Sequence, residues 1–172
     1  MDTITIPKGS HKSLTQISHL VKPGDMSRKV AFTANCAYQI DPANQSDWNK
    51  VLGYTIGLFP AKGKTPVHYN SIRFGWRFYN GFLEIAPYWY SKGDRHTADA
   101  DNLPVAKLTL DQYYDFKIVR SGSTYTLSVN GPNSVNQTWQ LSNMATATFG
   151  WSLNLYFGGN CKAPHDISVV FK

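Results

Sequence analysis

The sequence predicts an all-β fold, a two-sheet antiparallel β-sandwich. Three observations carry the prediction. Apolar residues recur with a period of two and almost nowhere with a period of 3.6 over ten positions. Gly, Pro, Asn and Asp punctuate these segments at short intervals. Aromatic residues make up 14% of the chain, and their rings suit a pleated, half-buried surface.

Taken in order, the period-2 segments place strands near 3–6, 29–40, 51–58, 70–78, 82–90, 104–109, 114–120, 124–130, 150–157 and 166–171. A further short strand is expected within 11–22. Val30, Phe32, Ala34, Cys36, Tyr38 and Ile40 form one apolar row. "DPANQSDWNKV" from Asp41 and "TLDQYYD" from Thr109 read as short helical turns, since neither carries a long amphipathic stripe. Many strands with turns between them suggest a sandwich or jelly roll. With no internal repeat or interdomain linker, residues 1–172 are expected to form one domain large enough to bury a core.

The most informative stretch is "HYNSIRFGWRFYNGFLEIAPYWY", His68 to Tyr90. Asn80-Gly81 predicts a two-residue type I′ turn, which needs positive φ at both positions. That turn fixes the register. Tyr79 faces Phe82, Arg77 faces Glu84, Gly75 faces Ala86, Arg73 faces Tyr88, and Ser71 faces Tyr90. The other face, from Ile72 to Phe78 and from Leu83 to Trp89 in alternation, is wholly apolar and must be core. The polar face carries long residues around the small Gly75/Ala86 pair, so a shallow groove is expected there. Arg77–Glu84 also reads as an ordinary cross-strand ion pair. Arg73 opposes a tyrosine rather than a carboxylate, which leaves its donors available for a ligand. Pro87 predicts a bulge or an edge position.

"LNLYFGGNCKAPHD", Leu153 to Asp166, has the same two-faced pattern. Trp151, Leu153, Leu155 and Phe157 form an apolar row; Asn154 and Tyr156 belong to the polar one. In the same sheet, Asn154 and Tyr156 would extend the Arg/Tyr face. The glycines after Phe157 let backbone pass close to a ligand or to another strand. His165-Asp166 suits a hydrogen-bonded loop lock as well as a catalytic pair.

Composition narrows the function classes. No stretch approaches the roughly 18 apolar residues of a membrane helix, so no membrane insertion is expected. The N-terminus has no signal-peptide pattern. A net charge of +6 favours anionic partners. The cations are scattered singly and no nucleic-acid motif is present, so nucleic acid is not expected. Cys36 reads as a small buried hydrophobe, and a Cys36–Cys161 disulfide stays open. The Asp- and Asn-rich segments from Asp41 and Asp94 do not have EF-hand spacing, and the five histidines form no zinc pattern; no metal or cofactor is expected. Asn44 and Asn136 open formal glycosylation sequons.

The segments "HYNSIRFGWRF", "LEIAPYWY" and "NLYFGGNCKAPHDISVVF" resemble those of the concanavalin A-like lectin/glucanase jelly rolls. More narrowly, the chain resembles uncharacterised bacterial or phage-associated domains with an H-x-N-S-x-R-F-G-W strand and a late Y-F-G-G-[DN]-x-x-A-P-H-D-I segment. The resemblance implies two stacked antiparallel sheets, with ligand on a concave face. It also implies one of several carbohydrate functions, among which fold alone does not choose.

Residue inventory separates these functions. Two-carboxylate glycosidase chemistry is disfavoured, because the chain has a single glutamate, Glu84. Glycan binding needs only aromatic faces and polar tips, here Asn70, Arg73, Arg77, Glu84, Tyr88, Tyr90, Asn154 and Tyr156. This is the function expected first, with a glycan or acidic polysaccharide as partner. A uronate lyase is the enzymatic alternative, with His68, Tyr88, Tyr156 and His165 as candidate catalytic groups. Strand parity, however, places His68 opposite to Arg73. A structural or virion-surface module is the third reading. Extracellular, cell-surface or virion-surface localisation is favoured.

Overall fold

The computed structural model describes residues 1–60 and 62–172. The chain builds β1 (Asp2–Ile6), β2 (Leu20–Val21), β3 (Met26–Phe32), β4 (Asn49–Thr55), β5 (Ser71–Tyr79), β6 (Phe82–Ser91) and β7 (Asp94–Thr97). A single helical turn α1 (Ala98–Asp101) precedes β8 (Ala106–Leu108), β9 (Tyr113–Ser121), β10 (Thr124–Gly131), β11 (Val135–Leu141), β12 (Gly150–Trp151) and β13 (Ile167–Phe171). One sheet has the order β1-β13-β3-β9-β10-β11. The other runs β4-β5-β6, with β7 and β8 sharing the far edge of β6. All pairings between these strands are antiparallel, and β2 with β12 adds a small third ladder. The fold is the jelly-roll β-sandwich that the sequence predicts.

The core lies between the two large sheets. Trp76, Phe74, Ile72, Leu83 and Ile85 from the smaller sheet meet Phe32, Tyr114, Phe116, Ile118, Tyr125 and Leu127 from the larger. Phe74 and Phe116 meet edge to face at 4.9 Å, and Trp76 packs on Phe32 at 5.4 Å. Each such ring contributes on the order of 2–3 kcal/mol through buried apolar area.

The β5–β6 hairpin has the register read from Asn80-Gly81. Every pair from Tyr79–Phe82 to Ser71–Tyr90 is as expected, and both turn residues have positive φ, +50° and +80°. Pro87 introduces no bulge, because it pairs in register with Phe74. Hydrogen-bonded and non-hydrogen-bonded pairs alternate from the turn, so the nitrogen of Pro87 faces away from β5. It meets the gap between β7, which pairs from Tyr88 onward, and β8, which pairs up to Ile85. No ladder bond is lost there.

Other expectations need correction. The strand predicted over 29–40 stops at Phe32, and a 3₁₀ turn over Ala34–Cys36 follows, leaving Ala34 exposed while Cys36 stays buried. The helical turns expected from Asp41 and Thr109 are irregular turns; the helix is instead α1, capped by the Thr97 hydroxyl. The polar strand β7 and the strand β11 were not foreseen. The strand expected over 150–157 contracts to β12, yet Ser152 and Tyr156 still make isolated bridges to β4. Both cysteines are free. Burial pushes the Cys36 thiol up to about 12, consistent with an unreactive core group.

Candidate functional site

Register turns the outer face of the smaller sheet into a grid. Paired residues share a face, so Lys50, Gly75 and Ala86 form one row. Gly53, Arg73, Tyr88 and Thr97 form the next, and Thr55, Ser71, Tyr90 and Arg95 the third. Tyr156 extends the first row beyond β4, since its backbone exchanges hydrogen bonds of 2.8 and 2.9 Å with Lys50.

The local chain explains why Lys50 and Arg73 sit side by side. A bulge separates Val51 from Gly53, with Leu52 held at φ +40°. A leucine rarely adopts that backbone region, and bulges of this kind concentrate beside functional sites. Gly53 is required there. A Cβ on it would lie 2.1 Å from the Ile72 carbonyl oxygen and 2.6 Å from Cγ of Arg73. The Arg73 stem therefore crosses directly over β4 toward Lys50.

Lys50 is 8% exposed and Arg73 is 6% exposed. Neither side chain has an acidic partner among the described residues. The Lys50 ammonium lies 4.6 Å from the centre of the Tyr88 ring and 5.5 Å from that of Tyr156. The Arg73 guanidinium lies 5.5 Å from the Tyr88 ring, and its Nε is buried without a hydrogen-bond partner among the described residues. Burial first, and then the positive fields of Arg73 and Arg95, bring the Lys50 pKa down to about 7. Burial also lowers Arg73, to about 10. Arg73 remains a cation at neutral pH, whereas Lys50 is poised between its two forms.

Aromatic and imidazole groups complete the surroundings. His68 sits on a 3₁₀ turn before β5, with its ring 5.2 Å from Tyr90. The parity that placed it on the opposite face fails because β5 begins only at Ser71. Partial burial, Arg73 and Lys50 all lower its pKa. Tyr88 and Tyr90 meet edge to face at 6.0 Å. Burial and the neighbouring Tyr90 raise the Tyr88 pKa, keeping its hydroxyl protonated. His11 stacks flat on Tyr156 at 5.4 Å, and its Nδ1 donates to the Phe157 carbonyl at 2.8 Å.

Several residues named from the sequence stand in other roles. Arg77 is a clamp: Nε donates to Glu84 at 2.8 Å, and its terminal nitrogens donate to Asp99 and to the Ser46 carbonyl. Its guanidinium is sandwiched between Trp48 and Tyr79. Removing one member of the buried Arg77–Glu84 pair costs about 3–5 kcal/mol, so both side chains hold the sheet. Asn70 accepts from the Lys92 backbone, and Asn154 donates to the Gln16 carbonyl. His165 and Asp166 do not pair with each other. His165 Nε2 donates to the Asn35 carbonyl, and Asp166 accepts from the Lys8 backbone. Of the residues named from sequence, His68, Arg73, Tyr88, Tyr90 and Tyr156 gather around Lys50; Asn70, Arg77, Glu84, Asn154 and His165 are held elsewhere.

The groove expected over Gly75 and Ala86 is filled. A Cβ on Gly75 would lie 3.0 Å from the Trp48 ring, and Trp48 packs with Ala86 and Tyr88. Its indole nitrogen donates to Asp99 at 2.6 Å. The open space lies beside this plug, a cavity of about 400 Å³ whose lining includes Asp47, Trp48, Lys50, Tyr88, Arg95 and Asp99. Gly159 lines it, and Gly158 is buried next to it in the chain. A Cβ on Gly158 would lie 2.1 Å from the Trp48 carbonyl oxygen and 2.6 Å from Lys50 Nζ, and one on Gly159 would meet the Asp47 carboxylate. The Gly-Gly pair therefore serves close approach to β4.

Sequence reasoning missed Lys50, Trp48, Arg95 and Asp99. The glycine of "KVLGYT" was the available signal, because a glycine inside a strand pattern marks a bulge or a close backbone approach.

No protein-family model and no curated protein matches the chain at the sequence level. Solved structures match it by fold. A PL-14 alginate lyase from Aplysia kurodai superposes with a TM-score of 0.59 at 14% identity, over 99% of this chain and 79% of that one. An alginate lyase from Klebsiella pneumoniae gives 0.52 at 12% identity, over 86% of this chain and 57% of that one. A functionally unknown protein from Saccharomyces cerevisiae gives 0.54 at 7% identity, over 99% of this chain and 85% of that one. At these identities the likeness establishes a shared jelly-roll sandwich architecture, which is compatible with glycan binding and with lyase chemistry alike.

Proposed function

We propose that the protein is a polysaccharide lyase that cleaves a uronate-containing glycan by β-elimination. The observation that carries this reading is Lys50: a buried lysine with a pKa near 7, which, like the arginine beside it, has no acidic partner among the described residues. The reaction requires a cation on the uronate carboxylate, a base for the C5 proton and a proton for the departing oxygen. Arg73 binds the carboxylate and stabilises the charge that develops on it as the C5–H bond breaks. Neutral Lys50 takes that proton. The electron pair forms the C4–C5 double bond, the C4–O bond breaks, and the Tyr88 hydroxyl protonates the leaving oxygen. Tyr90, Tyr156 and His68 border the sugar. Glycan binding without cleavage, the function expected first from the sequence, accounts for the aromatic wall but gives no role to a lysine of lowered pKa.

The test is incubation with a panel of uronate polysaccharides at pH 8, following absorbance of the unsaturated product. Wild type should produce it, Lys50→Met should lose at least 10²-fold in turnover, and Arg73→Lys should lose rate with its fold intact. No product on any uronate polymer, combined with retained glycan affinity, would establish plain binding instead.

A further inference from the structure

Arg95 stands on the same face as the Lys50–Arg73 pair but on the far edge of the sheet. Its partner across the ladder is Tyr90, and it lines the cavity that Lys50 and Tyr88 share. An exposed arginine is ordinarily a solvated charge. This one faces a cleft and makes no ion pair among the described residues. Asp99, in the same cavity, is already held: its two carboxylate oxygens accept from Arg77, and one of them also from the Trp48 indole. Asp47 lies against Gly159 and leaves Arg95 unpaired. The Arg95 charge nevertheless reaches the base, since it is among the causes that lower Lys50.

Resting on the lyase reading, we propose that Arg95 is a second carboxylate subsite, which binds the sugar next to the one held by Arg73 and so selects glycans with consecutive uronates. Arg73 is on β5 and Arg95 on β7, two strand spacings apart and two residues further along, so their backbones are about 12 Å apart. Arg95 lines the open cavity and Arg73 does not, so the two cations meet different parts of a bound chain. The glycan therefore crosses the strands rather than running along them.

The test is calorimetric binding in the Lys50→Met background, where the ligand is not cleaved. The probes are a hexamer of uronates and a hexamer in which uronates alternate with neutral sugars. Arg95→Gln should weaken the homo-uronate hexamer roughly tenfold to hundredfold, the size of a lost charge-assisted hydrogen bond. It should leave the alternating hexamer unchanged, and Arg95→Lys should restore part of the loss. Equal weakening for both oligomers would reduce Arg95 to a general field, and no weakening for either would remove it from the site; each outcome overturns the subsite alone. Failure of the Arg95-intact protein to bind any uronate oligomer would overturn the lyase reading with it.

Discussion

Replacing Lys50 by Met should make the protein more stable and change how its stability depends on pH. In the fold, the Lys50 pKa drops from 10.5 to about 7, mainly through burial. Each tenfold change in proton affinity is worth about 1.4 kcal/mol, so the full cost of carrying the proton inside is roughly 5 kcal/mol. This is large against the 5–15 kcal/mol by which domains are stable. Its sign follows from proton counts. Below pH 7 both folded and unfolded states hold the proton, and the fold bears the whole cost. Between pH 7 and 10.5 the unfolded chain holds more of it, so stability rises with pH.

Cys36 and Tyr38 oppose this trend at higher pH. Burial raises both to about 12, so their unfolded forms ionise first and stability falls. The useful window is therefore pH 7 to 9, in which Lys50 returns about 2 kcal/mol. Urea melts at pH 7, 8 and 9 read this directly without screening the charges. Wild type should gain about 2 kcal/mol across the window. Lys50→Met should stay nearly flat and exceed wild type most at pH 7, since the ammonium makes no ion pair among the described residues. Parallel curves for the two proteins would mean that Lys50 is not penalised inside, and the case for a neutral base at physiological pH would fall with it.

Two further substitutions test the frame around the site. Gly158→Ala should destabilise by about 2–4 kcal/mol in thermal melts, because the new methyl meets the Trp48 carbonyl and Lys50, whereas Gly24→Ala, with its nearest atom at 3.9 Å, should be close to neutral. Equal effects would show that the Gly-Gly segment yields freely. Trp76→Phe should cost no more than about 1 kcal/mol, well under the 3–5 kcal/mol of a Trp or Phe truncated to Ala. The buried indole nitrogen has no partner among the described residues, so Phe removes an orphan donor along with the lost area; a loss above 3 kcal/mol would mean that a bound water satisfies it.

The legible part of the fold was the part governed by short-range chemistry. Asn80-Gly81 admits only one turn geometry, and from it nine cross-strand pairs follow without further information. The apolar rows of β9, β10 and β13 alternate cleanly for the same reason. What stayed hidden was set by distant partners. "DRHT" is a strand only because Lys92-Gly93 turns it back onto β6, and its polar composition gives no hint of that. The Gly75/Ala86 depression looked open because nothing in the hairpin shows that Trp48, which precedes β4, folds over it.

The same limit governs the site. Arg73, Tyr88 and Tyr90 were recognisable because they share one hairpin. Lys50 was not, because its position depends on which way β4 faces, and the bulge at Leu52-Gly53 changes that along the strand. Before the bulge Lys50 pairs with Gly75 on the polar face; after it, Tyr54 pairs with Ile72 in the core. Were Leu52 paired regularly instead of bulged, Lys50 and Tyr54 would share a face, and either the ammonium would enter the core or the tyrosine would leave it. The strained leucine is thus the structural condition for having a buried lysine beside Arg73 and a closed core beneath them. The cost retained at Leu52, Lys50 and Arg73 together is the physical ground of the proposed lyase reading, and the pH dependence of Lys50→Met is its direct check.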